Sequence, residues 1–148
     1  MCGRAFGDGI LSRLEIVEAN AWKDRDEARV VCELDVEEDM TDANGNVPGS
    51  CFAFLTSLFS GLPHIVLDLS KGGTGAKGAA QVLSTTIHRN AHVGDRLKIY
   101  GRTMSRDFAV TFGRCEIWSS RDGKLVASAS QMKAEGVKKG KTGNKSKL

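Results

Sequence analysis

The stretch "MTDANGNVPGSCFAFLTSLFSG", residues 40–61, passes abruptly from a polar turn into an almost wholly apolar run. Asp42, Asn44 and Gly45 are turn residues, because Asp, Asn and Gly tolerate or stabilise the left-handed backbone of tight turns. Pro48 suits the first turn of a helix, where its missing N–H leaves nothing unpaired. The run "SCFAFLTSLF" at 50–59 is apolar on nearly all sides, which predicts a helix buried on most faces. Gly61 and Pro63 are expected to stop it. One very apolar helix set among strands implies an α+β domain with a sheet wrapped around that helix.

Upstream, "EARVVCELDVEE" alternates: Ala28, Val30, Cys32, Leu34 and Val36 share one face, and Arg29, Glu33, Asp35 and Glu37 the other. That is the period of a half-buried strand. Earlier, "DGILSRLEIVEAN" at 8–20 sets Ile10, Leu11, Leu14 and Val17 at helical spacing behind Asp8, which predicts a short amphipathic helix. Downstream, the loop "LSKGGTGAKG" leads to four extended stretches near 80–89, 95–106, 107–119 and 124–133. "NAHVGD" separates the first two, and Arg121-Asp122-Gly123 is a hairpin signal between the last two. A domain over 1–136 is expected, followed by a Lys, Gly, Asn and Ser tail at 137–148 too polar to pack.

The chain has 148 residues, enough for one real core, with 41% hydrophobic and 26% charged residues. Its net charge is +3, but five lysines follow the last acid, Glu135; without them the remainder stands at −2. No basic face interleaved with aromatics marks a nucleic-acid partner. The longest apolar run lies near Cys51–Leu55, so no membrane span is expected. The start, "MCGRAFGDGILSRLE", lacks the apolar centre of a secretory signal. Cys2, Cys32, Cys51 and Cys115 show no close pairing, and the three histidines do not complete a zinc set, so reduced thiols and no metal are expected.

Gly73, Gly75 and Gly78 formally spell G-x-G-x-x-G, but a strand rather than a helix follows, so the phosphate reading fails and a loop is expected. Ser146, Lys147 and Leu148 spell a peroxisomal import signal, which implies an import receptor as partner and a peroxisomal location. No G-x-S-x-G elbow is present, and His64, His88 and His92 are scattered without an acid partner in sequence. Asp42 remains. It lies just ahead of a buried helix, whose free N–H groups can polarise a carbonyl or stabilise an oxyanion. A carboxylate there could attack a thioester or activate water, or it could simply shape the turn.

With these elements in place, the chain resembles the hotdog fold, and in particular the PaaI-like acyl-CoA thioesterases. The matching parts are "VCELDVEEDMTDANGNVPGSC", "HVGDRLKIYGR" and "CEIWSSRDGKLVASASQMK". The resemblance implies a homodimer with a joined sheet, often paired into a tetramer, and acyl-CoA bound at the subunit interface, CoA being part of the substrate and not a cofactor. It implies a thioester carbonyl near the N–H of Gly49, with Asn44 and Asn46 in the turn beside the substrate. Arg89, Arg106 and Lys133 are the expected partners of the CoA phosphates.

The sequence departs from that family where chemistry would sit. The family turn T-N-x-x-G-x-x-H-G-G has Asp42 for its Asn, Pro48 for its His, and Ser50 for its second Gly. The family's helix carboxylate falls on Ser57, with Thr56 no substitute, and a water-holding Ser falls on Ala80. A second hotdog branch, the 4-hydroxybenzoyl-CoA thioesterases, reads D-x-x-G-x-V in this turn and uses that Asp. Asp42-Ala43-Asn44-Gly45-Asn46-Val47 matches it. The expected function is acyl-CoA hydrolysis with Asp42, Gly49, Ser50 and Ser57 at the site. A binding protein that no longer hydrolyses, or a dehydratase-like reaction, is the alternative.

Overall fold

The computed structural model describes residues 5–75 and 78–134; the expected tail with Ser146, Lys147 and Leu148, and Cys2, lie outside the described residues. The elements are α1 (Asp8–Leu11), β1 (Glu15–Trp22), β2 (Glu27–Asp35), a 3-10 turn (Glu38–Met40), α2 (Gly49–Ser70), β3 (Ala79–Ile87), β4 (Arg96–Asp107), β5 (Val110–Ser119) and β6 (Leu125–Ala134). The six strands form one sheet in the order β1-β2-β4-β5-β6-β3, and every neighbouring pair is antiparallel. The sheet wraps α2, the hotdog arrangement expected from sequence.

Register sets the core. Cys32 lies opposite Ile99, Ile99 opposite Ile117, Ile117 opposite Ala127, and Ala127 opposite Ile87. The first four of these side chains are buried, and they meet Phe52, Leu55 and Phe59 of α2. Each such large apolar side chain contributes roughly 1.5–3 kcal/mol by leaving water. The alternation read in β2 holds: Ala28, Val30, Cys32, Leu34 and Val36 are all buried. Cys32, Cys51 and Cys115 are free thiols, Cys32 and Cys115 fully buried; desolvation pushes the Cys32 thiol up to about 11. The glycine triplet is a loop as expected, with Gly75 N–H donating to Asp68 Oδ2 at 2.8 Å.

Three expectations need correction. The helix at 8–20 is one turn, Asp8–Leu11, and Glu15–Trp22 is instead the edge strand β1. Ile16 and Val17, 70% and 54% exposed, do not continue the apolar stripe of Ile10 and Leu14. Backbone pairing to β2 overrides the helical spacing, with a bulge between Ile16 and Glu18.

The second correction concerns the end of α2, which runs through Pro63 to Ser70. Proline removes the bond to the carbonyl four residues back, here that of Phe59. That carbonyl points at Gly101 of β4, so closely that a β-carbon on Gly101 would stand 2.0 Å from its oxygen. The Ser60 carbonyl approaches Gly113 of β5 in the same way, at 1.8 Å from a β-carbon there. The helix thus continues, packed closely on the sheet, through a residue expected to end it. The third correction follows: at 22 residues and mean hydropathy 1.6, α2 is long and apolar enough to cross a membrane by composition. Here it packs in the concave face of the sheet.

Candidate functional site

The turn before α2 is built on Asp42. Its N–H donates to Asn46 O at 2.8 Å, and Gly45 N–H donates to Asp42 O at 3.0 Å. Asp42 Oδ1 accepts the backbone N–H of Asn44 at 2.9 Å and of Asn46 at 3.1 Å. Gly45 has φ 76, the left-handed backbone that glycine accepts most readily. Val47 N–H then donates to Ala91 O at 2.8 Å, and Asn46 bridges to His92, so the turn is tied to the chain following β3. One carboxylate oxygen therefore shapes the turn. The other, Oδ2, makes no hydrogen bond or ion pair among the described residues, and Asp42 is exposed.

Pro48 enters α2 with extended backbone, and its carbonyl accepts Cys51 N–H at 3.0 Å and Phe52 N–H at 3.3 Å. The N–H groups of Gly49 and Ser50 are left without a partner among the described residues, and both residues are exposed. They stand at the positive end of a 22-residue helix with no acid in its first turn. Free donors and an available carboxylate thus share one end of the molecule. The last residue of β3 abuts them: a β-carbon on Gly49 would be 3.2 Å from Ile87 Cδ1.

Ser57 lies eight residues further along, which at about 1.5 Å per residue is about 12 Å from Gly49. Its Oγ accepts a hydrogen bond from Gln131 Nε2 at 2.7 Å. Beside it, Thr56 Oγ1 and Thr85 Oγ1 are 3.0 Å apart. Gln131 is 3% exposed and its Oε1 is buried without a partner. One chain therefore keeps Ser57 away from the Asp42 and Gly49 end.

The expected phosphate partners separate as well. Arg89 follows β3, exposed, at the same end as the turn. Arg106 pairs with Asp68 at 3.7 Å, and Lys133 Nζ would be 2.5 Å from a β-carbon on Gly61, so both lie along the second half of α2. Asn44 and Asn46 serve the turn through their backbone N–H groups. Ala80 is exposed at the start of β3. His88 is exposed just past β3, its Nε2 2.9 Å from Ser128 Oγ.

Gln131 and Thr85 did not emerge from sequence, and His64 stood there only among the scattered histidines. His64 Nε2 lies 2.7 Å from the Phe112 carbonyl, an acceptor, so Nε2 carries the proton. Its Nδ1 is buried and unpartnered, and burial pushes its pKa down. A signal existed for this side of the helix: Thr56, Ser60, His64 and Asp68 recur every fourth residue, a polar stripe down an otherwise apolar helix. No group of three or more His, Cys, Asp or Glu placed to hold a metal occurs among the described residues.

No protein-family model matches the chain. It is 24% identical over 124 residues to acyl-coenzyme A thioesterase 13 of Homo sapiens, covering 84% of this chain and 81% of the relative. The zebra fish thioesterase superfamily member 2 superposes with TM-score 0.77 at 24% identity, covering 91% of this chain and 89% of that one. A hypothetical thioesterase from Streptococcus pneumoniae, solved with coenzyme A, superposes with TM-score 0.69 at 21% identity, covering 83% and 89%. At these identities the likeness establishes the hotdog fold that thioesterase-superfamily and PaaI structures share.

Proposed function

We propose that this chain hydrolyses an acyl-CoA thioester. The observation that carries the reading is the pairing of the free Asp42 Oδ2 with the unpartnered N–H groups of Gly49 and Ser50 at one helix end. The N–H groups would hold the thioester oxygen as negative charge develops on it. Asp42 Oδ2 would either take the proton from a water that attacks the carbonyl and expels the CoA thiolate, or attack the carbonyl directly, expelling the thiolate and leaving an acyl–aspartyl anhydride that water then hydrolyses to the free acid. The similarity to acyl-coenzyme A thioesterase 13 and to a thioesterase that binds coenzyme A supports this substrate class.

The active form in this proposal is a homodimer joined through β3. That strand is a nine-residue free edge whose residues are almost all exposed, among them Val82, Leu83 and Ile87. Such an edge is a template for pairing with another strand. In this proposal, pairing two copies there would bring the α2 of one beside the helix start of the other, so that the second chain would supply Ser57 and Gln131 across the distance of about 12 Å within one chain. Arg89 of one copy and Arg106 and Lys133 of the other would then meet the CoA phosphates.

A second reading, binding without hydrolysis, is favoured by Ser57, which puts a hydroxyl and not a carboxylate at that position of the helix. Thiol release from acyl-CoAs, run beside calorimetry with S-alkyl-CoA thioethers, separates the two. Release at steady state supports hydrolysis; saturable binding with no release supports the binding reading. The peroxisomal location is also a proposal. It requires Leu148 to carry the free terminal carboxylate, and a fluorescent fusion bearing this tail that stays outside peroxisomes would contradict it.

A further inference from the structure

We propose that the cleft between α1 and the first two turns of α2 receives the acyl group, and that Phe54 limits it to short aliphatic or single-ring aromatic acyl groups. This deepens the acyl-CoA reading above and rests on it. The cleft has a volume of about 350 Å³ and is walled by Phe6, Ile10, Met40, Cys51 and Phe54. Pro48 and Ser50, the residues on either side of Gly49, also line it, so a group seated there carries its carbonyl to the free N–H groups.

Three features show a shaped cavity rather than a loose seam. Gly7 has φ +79, and a β-carbon on it would stand 2.2 Å from Phe54 Cζ, so only glycine lets that ring lie where it does. Phe6 meets Phe54 edge to face, with ring centroids 5.0 Å apart and planes at 89°. Phe6 is nonetheless 84% exposed, a large apolar surface that an acyl group in the cleft would cover.

Charge and size select the occupant. The charged side chain lining the cleft is Asp39, an anion held by Arg13 at 2.7 and 2.9 Å, so phosphates are refused and an uncharged acyl group is admitted. Ligand clefts span about 300–1,000 Å³, and this one lies at the small end. A long chain would have to displace Phe54 or leave its tail in water.

Cys51 is a built-in reporter. It is half-buried in the cleft wall, whereas Cys32 and Cys115 are fully buried; desolvation raises the pKa of all three thiols, so accessibility is what sets Cys51 apart. The test is maleimide alkylation of the full chain, read at Cys51 by peptide mass spectrometry, with CoA, S-butyl-CoA, S-phenethyl-CoA and S-hexadecyl-CoA. S-butyl-CoA and S-phenethyl-CoA should slow Cys51 alkylation at least tenfold at saturation, CoA itself should not, and S-hexadecyl-CoA should protect less. Phe54→Ala should extend protection to S-hexadecyl-CoA. Ile10→Trp, which fills the cleft from α1, should abolish protection should the first variant prove unstable. Saturable thioether binding by calorimetry with no protection of Cys51 would overturn the cleft assignment while leaving the parent reading standing. No binding of any thioether would overturn both.

Discussion

Gln131 Nε2 donates to Ser57 Oγ at 2.7 Å, joining β6 to the middle of α2. The bond leaves the hydroxyl proton of Ser57 free to hold a water or a substrate oxygen. Because Gln131 is buried, Ser57→Ala strands its amide N–H and should cost about 1–3 kcal/mol in urea unfolding. The double variant Ser57→Ala, Gln131→Leu should recover much of that loss, since removing both partners removes the unpaired donor. Equal losses in the single and double variants would show that the bond is not what holds this position. Ser57→Asp, which gives Gln131 a charged acceptor, should fold and raise thiol release if the helix position takes part in hydrolysis.

Gly101 and Gly113 bear the weight of the helix. Gly101→Ala should destabilise the protein by about 3 kcal/mol or more, because the new carbon meets a backbone oxygen that cannot move aside without shifting α2. Gly123→Ala is the comparison: nothing lies within 4 Å of its β-carbon, and only its φ of 64 opposes the change, at about 1 kcal/mol. Thermal unfolding of the two variants should differ by several degrees, and similar melting points would contradict the close approach.

His64 sets a pH dependence. Burial first, then Arg106 and Lys133, lower its folded pKa, against the opposing Phe112 carbonyl and Asp26. The unfolded chain, with a histidine pKa of about 6.5, therefore binds more protons in the window below neutrality. Stability should fall as pH drops through about 6.5 and level off beneath the folded pKa. His64→Gln should remove that slope from melting temperatures measured between about pH 7 and pH 5. A slope unchanged in the variant would assign it to other groups.

The β3 edge predicts the assembly. Val82→Lys combined with Leu83→Lys sets two charges on the exposed strand, the means by which natural edges avoid pairing. Analytical ultracentrifugation should show a dimer for the unaltered chain and a monomer for the variant, with thiol release reduced at least tenfold. A dimer that survives both lysines would place the subunit contact elsewhere.

The central helix, β2, β4, β5 and β6 were legible because apolar periodicity reports burial, and each of these segments is buried on at least one face. The edge strand β1 was not, because an exposed edge carries no stripe: Ile16 and Val17 face solvent, and Val17 falls in the bulge, with no partner in the β1–β2 register. Pro63 misled for a related reason. Its cost is a local matter, whereas its remedy, the approach of Gly101, lies 38 residues downstream and leaves no mark beside it. At the site, the Asp42 turn could be read from local chemistry. Gln131 could not, since nothing in "SASQMK" says that this amide reaches a helix hydroxyl 74 residues away.

The central claim is that the Asp42 charge drives thioester hydrolysis. Asp42→Asn is the clean variant, because asparagine keeps the Oδ1 acceptor that closes the turn on Asn44 and Asn46 and removes only the charge. The measurement is steady-state thiol release from butanoyl-CoA and phenylacetyl-CoA by the unaltered chain and by Asp42→Asn, with unfolding curves confirming equal stability. The account predicts turnover that falls at least a hundredfold in a fully folded variant. Turnover unchanged by the substitution would contradict it and leave Asp42 as a turn residue alone.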